Sequence, residues 1–292
     1  MFSRRSLLRL FGATLFASFS LASYAFAFEP RFRLAVTRYR LRPPRWPAMA
    51  RPLRMAVIAD VHACEPWMPL PRIEEIVATA NALKPELIVL LGDYVDGLGR
   101  FKTGVVPVKE WGAVLGRLKA PLGTFSVLGN HDWWVGAGPV RAALQDNGIP
   151  VLENEARLLR PSAGPAFWLA GLGDQLAIRT GNGRYSGMHD LPKTLAQIKD
   201  DTAPAILLAH EPDIFANLPE RFDLTLSGHT HGGQVKLPLL GRPIVPSRYG
   251  ERYAYGHVIE NDRHLIVSGG LGLSNLPVRF GVPPEIVLLE LG

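Results

Sequence analysis

Histidines, carboxylates and one asparagine follow five apolar runs of the sequence. The five groups are Asp60-Val61-His62, Gly92-Asp93-Tyr94-Val95-Asp96, Gly129-Asn130-His131-Asp132, His210-Glu211-Pro212 and Ser227-Gly228-His229-Thr230-His231. Imidazole and carboxylate groups are ligands that suit zinc, manganese and iron. The single cysteine, Cys64, cannot form an intrachain disulfide and belongs to no Cys-x-x-Cys pair, so we interpret it as a buried thiol. The sequence therefore predicts a metal centre of His, Asp and Asn.

The apolar runs before these groups predict strands of an α/β domain, with helical patterns between them. The predicted strands are Leu53–Ala59, Leu87–Leu91, Thr124–Leu128, Phe167–Ala170, Ala205–Ala209 and Leu224–Leu226. Apolar residues at helical spacing cover Ile73–Leu83 and Val108–Leu118. After Gln234, glycine and proline leave short β segments at Tyr253–Glu260, His264–Ser268 and Glu285–Leu291. Because ligands gather at the carboxyl ends of parallel strands, the five groups are expected to meet in one crevice.

The spacing within the groups favours two divalent cations over one. Asp60 and His62 are two residues apart, as are His229 and His231, and side chains at i and i+2 of a strand share a face. A carboxylate such as Asp93 has two oxygens and can bridge two cations. We therefore expect a binuclear site.

The order of these motifs carries a family resemblance. Asp-x-His, Gly-Asp-x-x-Asp, Gly-Asn-His-Asp, a lone His after an apolar strand, and Gly-His-Thr-His, all within residues 55–231, resemble the calcineurin-like metallophosphoesterase superfamily. The remaining tail resembles its exported or membrane-associated bacterial phosphodiesterase branch. The resemblance implies a four-layer αββα sandwich over residues 55–292 and two divalent metal ions, with Mn, Fe and Zn as candidates.

The resemblance also assigns roles by position. It implies two ligand sets and one bridging carboxylate: Asp60, His62 and His231; Asn130, His210 and His229; and Asp93 as the bridge, completed by water or hydroxide. The implied catalytic residues are His131, a general acid or charge stabiliser at the leaving oxygen, and Asp132. Asp132, like Asp96, is expected to accept the free N–H of an imidazole. Trp133 and Trp134 either line the substrate cleft or belong to the core.

The implied activity is hydrolysis of phosphoric esters, with a phosphodiester or pyrophosphate of the cell envelope, lipid-linked or polymeric, as the expected substrate. Similar enzymes act on UDP-diacylglucosamine in lipid A synthesis, but the cytosolic ones carry arginine where this chain has His131. The alternatives on the same metal core are a phosphomonoesterase and a nuclease for short substrates. A non-enzymatic metal-binding scaffold is disfavoured because no expected ligand is missing.

The positive charge of the chain is confined to its beginning. The net charge is +6, but residues 60–292 carry 21 Lys and Arg against 25 Asp and Glu. That domain lacks the basic surface that binds duplex nucleic acid. The basic excess therefore belongs to the first 59 residues.

Residues 1–27 are typical of an export signal. Arg4-Arg5 precedes an uncharged run from Leu10 to Phe28, and Ala25-Phe26-Ala27 is a small-x-small cleavage site. The paired arginines resemble the signal read by the twin-arginine export machinery. We expect cleavage after Ala27, with an uncleaved membrane anchor as the alternative, and a protein exported to the periplasm or the membrane surface.

Residues 28–54 form a basic, proline-rich arm. The alternation from Leu34 to Leu41 predicts one strand within it. Its eight arginines are either solvated parts of a strand and linker or a contact with anionic lipid headgroups.

Overall fold

The computed structural model describes residues 3–48, 51–95 and 97–292. The strands in these residues are β1 Ala35–Leu41, β2 Leu53–Ile58, β3 Cys64–Glu65, β4 Leu87–Leu90, β5 Gly104–Val105, β6 Thr124–Ser126, β7 Glu155–Leu159, β8 Phe167–Gly171, β9 Ile178–Gly181, β10 Arg184–Ser186, β11 Ala205–Leu208, β12 Leu224–Ser227, β13 Gly256–Glu260, β14 Arg263–Val267 and β15 Glu285–Leu291. The α-helices are α1 Arg4–Ser23, α2 Glu29–Phe32, α3 Leu70–Ala82, α4 Val108–Leu115, α5 Asn130–Gln145 and α6 Leu191–Leu195. Short 3-10 turns cover Gly99–Phe101, Pro212–Asn217, His231–Gly233 and Gly250–Tyr253, and a π-helical turn, Tyr24–Phe28, joins α1 to α2.

Two large sheets form the centre of the fold. The first has the order β1-β15-β2-β4-β6, in which β2, β4 and β6 are parallel and β15 is antiparallel to β2. The second has the order β13-β14-β12-β11-β8-β7, with β8, β11, β12 and β14 parallel. The parallel strands of each sheet consequently end at a common edge.

Apolar side chains divide the fold into four layers. Inner-face residues such as Val57, Val89, Leu208 and Leu226 pack the two sheets against each other. The outer face of the first sheet packs on α3, α4 and α5, with Trp111 almost fully buried between helix and sheet. The outer face of the second sheet packs on the turns of residues 212–217 and 250–253 and on α6. The predicted αββα sandwich is confirmed.

The predicted strands and helices occur within a few residues of their expected bounds, but three features differ from the sequence prediction. Helix α5 and the exposed hairpin β9–β10 were not expected. The carboxyl-terminal strand β15 lies between β1 and β2, so the end of the chain forms part of the first sheet.

The basic arm contributes an edge strand, since β1 pairs in parallel with β15 along its whole length. In the described residues, three arm arginines have acidic partners: Arg40 lies 2.9 Å from Glu290, Arg45 lies 3.1 Å from Asp223, and Arg51 lies 3.9 Å from Glu86. The helix before the arm, Arg4–Phe32, is long and apolar enough to cross a membrane by length and composition.

Candidate metal centre

The five polar groups lie at the adjoining strand ends of the two sheets. Asp60, Asp93 and Asn130 follow β2, β4 and β6, the parallel strands of the first sheet. His210 and His229 follow β11 and β12, neighbouring parallel strands of the second. The carboxyl ends of the parallel strands in both sheets therefore supply one site.

The backbone at this site takes a conformation that is rare for residues with side chains. Five of the seven expected ligands have positive φ angles: Asp60 (53°), His62 (46°), Asp93 (56°), His229 (68°) and His231 (52°). Left-handed backbone of this kind at a non-glycine residue costs about 1–3 kcal/mol and tends to occur at functional sites. The chain thus turns sharply at the strand ends, and the turns direct these side chains inward.

The residues expected on the first metal lie within a few ångströms of one another. His62 Nε2 is 3.1 Å from His231 Nε2, and His231 Nε2 is 3.8 Å from Asp60 Oδ1. The other ring nitrogen of His62 lies 2.7 Å from the Val95 carbonyl oxygen, which fixes the ring. These three residues form one possible ligand group, and all are buried.

The second set meets the first through Asp93. Asp93 Oδ2 is 3.5 Å from His62 Nε2 and 3.3 Å from His210 Nε2, so one carboxylate faces both sets. His229 Nδ1 lies 2.9 Å from Asn130 Oδ1. The structure thus brings all seven expected ligands into one cluster, with Asp93 at its centre.

The cluster suits divalent cations on two grounds. Asp60 Oδ2 is a buried atom without a hydrogen-bond partner among the described residues, although buried polar atoms are normally satisfied. The donors are imidazole nitrogens, carboxylate oxygens and one amide oxygen, which suit Zn, Mn and Fe. A side chain at Gly228 would place its Cβ 2.6 Å from Asp60 Oδ2, so this position requires glycine.

Burial and mutual charge shift the pKa values of the cluster. Burial raises the pKa of Asp60 to about 7 and lowers the pKa of His62 to about 4. Burial also acts to raise the pKa of Asp93, but His210 and His131 together hold it well below the usual range. At neutral pH, Asp93 therefore carries a negative charge and His62 offers a neutral imidazole.

Asp132 differs from its expected role. Its carboxylate accepts hydrogen bonds from the backbone N–H groups of Gly129 (2.9 Å), Asp93 (2.8 Å) and Tyr94 (2.8 Å), and contacts no imidazole in the described residues. It joins the turn after β4 to the start of α5, so it positions Asp93 and Asn130. The corresponding prediction for Asp96 falls outside the described residues.

His131 lines a cavity of about 1350 Å³ beside the cluster. Its backbone N–H donates to Asp93 Oδ1 at 2.8 Å, and its ring lies 4.9 Å from the rings of His62 and Trp134. Trp134 also lines the cavity, whereas Trp133 packs against the core between α5 and the first sheet. The two tryptophans therefore divide between the roles considered from the sequence.

Two further site residues were not singled out from the sequence. Glu211 is buried beside His210 and His229, and one of its carboxylate oxygens has no hydrogen-bond partner. Arg279 is fully buried, and its Nη2 lies 3.3 Å from His231 Nδ1. Glu211 could have been found from the sequence because it adjoins the predicted ligand His210. Arg279 could not, because it lies 48 residues beyond His231.

The chain is similar to known proteins in sequence and in fold. The family model of the calcineurin-like phosphoesterases matches residues 53–233. The chain is 31% identical to the uncharacterised metallophosphoesterase YkuE of Bacillus subtilis over 99% of this chain and 97% of that protein. It is 32% identical to the phosphodiesterase YaeI of Escherichia coli over the full length of both. Among solved structures, the NAD nucleotidase of Haemophilus influenzae matches with a TM-score of 0.49 and 16% identity, over 75% of this chain and 50% of that one. The family match and the two relatives show that the chain belongs to the calcineurin-like phosphoesterase family and is a metallophosphoesterase, a hydrolase of phosphoric esters.

Proposed function

We propose that the protein is an exported phosphodiesterase or pyrophosphohydrolase that acts on a lipid-linked substrate of the cell envelope. The observation that carries this proposal is the cavity beside the metal centre, whose lining combines arginine side chains with an apolar wall. An anionic diester attached to a lipid has both properties. The relative YaeI, named a phosphodiesterase, supports the diester class.

In this proposal, one cation would be held by Asp60, His62 and His231 and the other by Asn130, His210 and His229, with Asp93 facing both sets. Two such cations would lower the pKa of a water nucleophile and stabilise the charge that develops on the phosphoryl oxygens. Burial and the fixed imidazole rings keep the ligand atoms in place, which reduces the reorganisation needed during the reaction.

His131 serves the leaving group in this proposal. Its ring lines the cavity, and its Nε2 is 3.4 Å from the Ser274 hydroxyl. The backbone N–H of His131 donates to Asp93 Oδ1, so the backbone that carries the ring is held beside that carboxylate. It can donate a proton to the leaving oxygen or stabilise its developing charge.

The arginines of the cavity suit a second negative charge on the substrate. Arg179, on β9, stacks over the Trp134 ring with its guanidinium carbon 3.7 Å from the ring centroid. Within the described residues, no acceptor binds the guanidinium groups that line the cavity, at Arg100, Arg179, Arg184 and Arg248. Their N–H groups are therefore available to a phosphate or carboxylate.

The apolar part of the lining suits a lipid chain. Ile244 and Leu276 line the cavity and are 69% and 49% exposed. Leu276 and Val278 lie just before Arg279, whose backbone N–H donates to the Ala25 carbonyl at the end of the apolar N-terminal helix. A lipid-linked substrate reaching the cavity from this side would stay close to the membrane.

The test is a substrate comparison with metal-stripped protein reloaded with Mn, Fe, Zn or Mg. Bis-p-nitrophenyl phosphate is compared with p-nitrophenyl phosphate, and a phospholipid diester in mixed micelles with a water-soluble diester of the same headgroup. We expect a higher kcat/KM for the diester in the first pair and for the lipid in the second. A preference for the monoester refutes the diester assignment, and equal rates in the second pair refute the lipid.

Substitution of Arg179 tests the second charge. Arg179→Met retains an unbranched side chain beside Trp134 but removes the guanidinium group. We expect at least tenfold greater loss of kcat/KM for a diester with an additional phosphate than for bis-p-nitrophenyl phosphate. The control is Arg117→Met, because Arg117 pairs with Glu74 away from the cavity.

A further inference from the structure

The end of the N-terminal helix is packed onto the catalytic domain on both sides of the predicted cleavage point. Before that point, the Ala25 carbonyl accepts from the Arg279 backbone N–H at 3.0 Å, and the Phe26 carbonyl accepts from the Trp67 indole at 3.2 Å. Tyr24 contacts Phe280 edge to face, with ring centroids 6.3 Å apart. A leader that is removed after export makes no lasting contacts of this kind.

Glu29, beyond the cleavage point, provides the strongest of these contacts. It is 1% exposed, and its carboxylate accepts from the backbone N–H groups of Gly281 at 3.1 Å and Val282 at 2.9 Å. A buried carboxylate is costly unless it is hydrogen-bonded, and charge-assisted bonds to backbone N–H groups are strong. The helix end therefore binds both ends of the segment 279–282: Ala25 binds Arg279, and Glu29 binds Gly281 and Val282.

The same segment reaches the metal centre. The Arg279 guanidinium donates to the Gly272 carbonyl at 2.7 Å and to the Val282 carbonyl at 3.0 Å, and it lies 3.3 Å from His231 Nδ1. The contacts of Arg279 and the bond from the Val282 N–H to Glu29 are buried, and the bond from the Gly281 N–H is partly buried. A continuous set of hydrogen bonds thus runs from Glu29, through the 279–282 segment, to a candidate metal ligand.

We propose that the N-terminal helix is retained in the mature protein as an anchor in the lipid bilayer, and that Glu29 positions the segment that holds Arg279 against His231. This role of the helix does not depend on the substrate proposed above. The contacts of Ala25 and Phe26 favour the uncleaved anchor over the cleaved signal expected from the sequence.

The exposed surface of α1 suits a lipid bilayer. No residue of α1 is buried, and Phe11, Phe16 and Phe19 are 64–74% exposed. The 20 residues of α1 extend about 30 Å, the thickness of the hydrocarbon core. The run from Leu10 to Phe28 has no charged side chain. Such a surface is unfavourable in water and matches acyl chains.

The first experiment determines whether the helix is kept. The full chain with a carboxyl-terminal tag is expressed in a bacterial host with twin-arginine export, and the mature protein is analysed by intact mass and carbonate extraction of membranes. We expect residues before Ala27 in the mature chain, which resists carbonate. A mature chain that begins at Phe28 and is released by carbonate overturns the proposal. If α1 instead packs against α1 of a second copy of the chain, carbonate should release a dimer, and this result also overturns the proposal.

The second experiment tests the positioning role with metal content as the readout. Glu29→Ala, Glu29→Gln and the control Arg31→Ala are purified in detergent, equilibrated with chelator-buffered Zn²⁺, and assayed by elemental analysis. Arg31 lies on the same helix end and contacts only the Phe32 ring in the described residues. We expect at least tenfold weaker Zn²⁺ binding for Glu29→Ala, partial rescue by Gln, which keeps one oxygen acceptor, and no change for the control. Unaltered binding in a Glu29→Ala protein overturns the positioning role, and thermal unfolding of the metal-free variants identifies a general loss of stability.

Discussion

Asp93→Asn is the most direct test of the shared carboxylate. The substitution keeps the shape of the side chain but removes its charge from a site that is 2% exposed. Asp93 Oδ2 lies 3.3 Å from His210 Nε2 and 3.5 Å from His62 Nε2, and these histidines belong to different ligand sets. The change is therefore expected to weaken both metal sites, whereas replacement of either histidine would weaken one.

The expected magnitude follows from these distances. Two unit charges 3.3 Å apart interact by about 5 kcal/mol at an effective dielectric constant of about 20. Since 1.36 kcal/mol corresponds to a factor of ten, loss of one such charge weakens binding by more than about 10³-fold. Nearby groups hold the pKa of Asp93 well below its usual range, so the wild-type carboxylate is ionised throughout the assay range.

The assay is elemental analysis of wild type and variant at matched free metal concentrations, followed by turnover of bis-p-nitrophenyl phosphate. We expect two metals per chain in the wild type, fewer than one in Asp93→Asn, and turnover reduced at least 10³-fold. His62→Gln serves as the comparison and is expected to lose one metal. A variant that keeps both metals and turns over at the wild-type rate would refute the shared-carboxylate assignment.

Three further predictions concern the site and the arm. His131→Ala should retain both metals by elemental analysis and lose about 10²–10⁴ in turnover, less for substrates with acidic leaving groups; metal loss would make His131 a ligand. Metal uptake should displace protons from Asp60, whose pKa burial raises to about 7, and from His210, whose pKa the Asp93 carboxylate holds well above its usual value despite burial, so affinity should rise at least tenfold per pH unit below pH 7 and continue to rise above it, measured by calorimetry in buffers of different ionisation enthalpy; affinity independent of pH between 5 and 7 would contradict this. Neutralising Arg38 and Arg42, which have no acidic partner in the described part of the chain, should remove the excess binding to anionic over neutral vesicles at low salt, and an unchanged excess would leave the arm as a strand and linker.

The elements that supply the metal centre were predictable because their signals are local. Strands β2, β4, β11 and β12 are mostly apolar, and each is followed within three residues by a polar residue of the site. A parallel α/β arrangement then brings strand ends together without any knowledge of individual contacts. The grouping of seven expected ligands followed from this rule and from the family resemblance.

Features without a local signal were missed. Helix α5 contains Gly136, Gly138 and Pro139, which are poor helix formers, and Gly136 is non-helical within it. The hairpin β9–β10 is exposed on both strands, so it has no alternation of apolar and polar residues. Arg179 and Trp134 meet only when the hairpin folds over α5.

Asp132 shows why a motif alone misassigns a contact. Within Gly-Asn-His-Asp, the carboxylate is one residue from an imidazole and two from a ligand, and a hydrogen bond to a histidine is a reasonable expectation. The start of α5 instead points Asp132 back at the N–H groups of Gly129, Asp93 and Tyr94, which have no other acceptor in the described part of the chain. The requirement of buried backbone N–H groups for partners therefore determines the role of this side chain.

The contacts of the N-terminal helix could not be predicted from its sequence either. Arg4-Arg5, the uncharged run and Ala25-Phe26-Ala27 are identical in a cleaved signal and in a retained helix, because the sequence of the segment does not state what it packs against. The discriminating contact lies before the predicted cleavage point, where the Ala25 carbonyl accepts from the Arg279 backbone N–H at 3.0 Å. Glu29 is present in either form of the chain, and its partners Gly281 and Val282 are more than 250 residues away. A carboxylate directly after an apolar helix is ordinary on a surface, but at 1% exposure with two backbone N–H donors it fixes the helix end to the domain. Loss of the residues up to Ala27 would remove the Ala25 bond from Arg279 while Glu29 kept its own bonds, so the proposed retention of the helix preserves a contact to the residue that lies against His231.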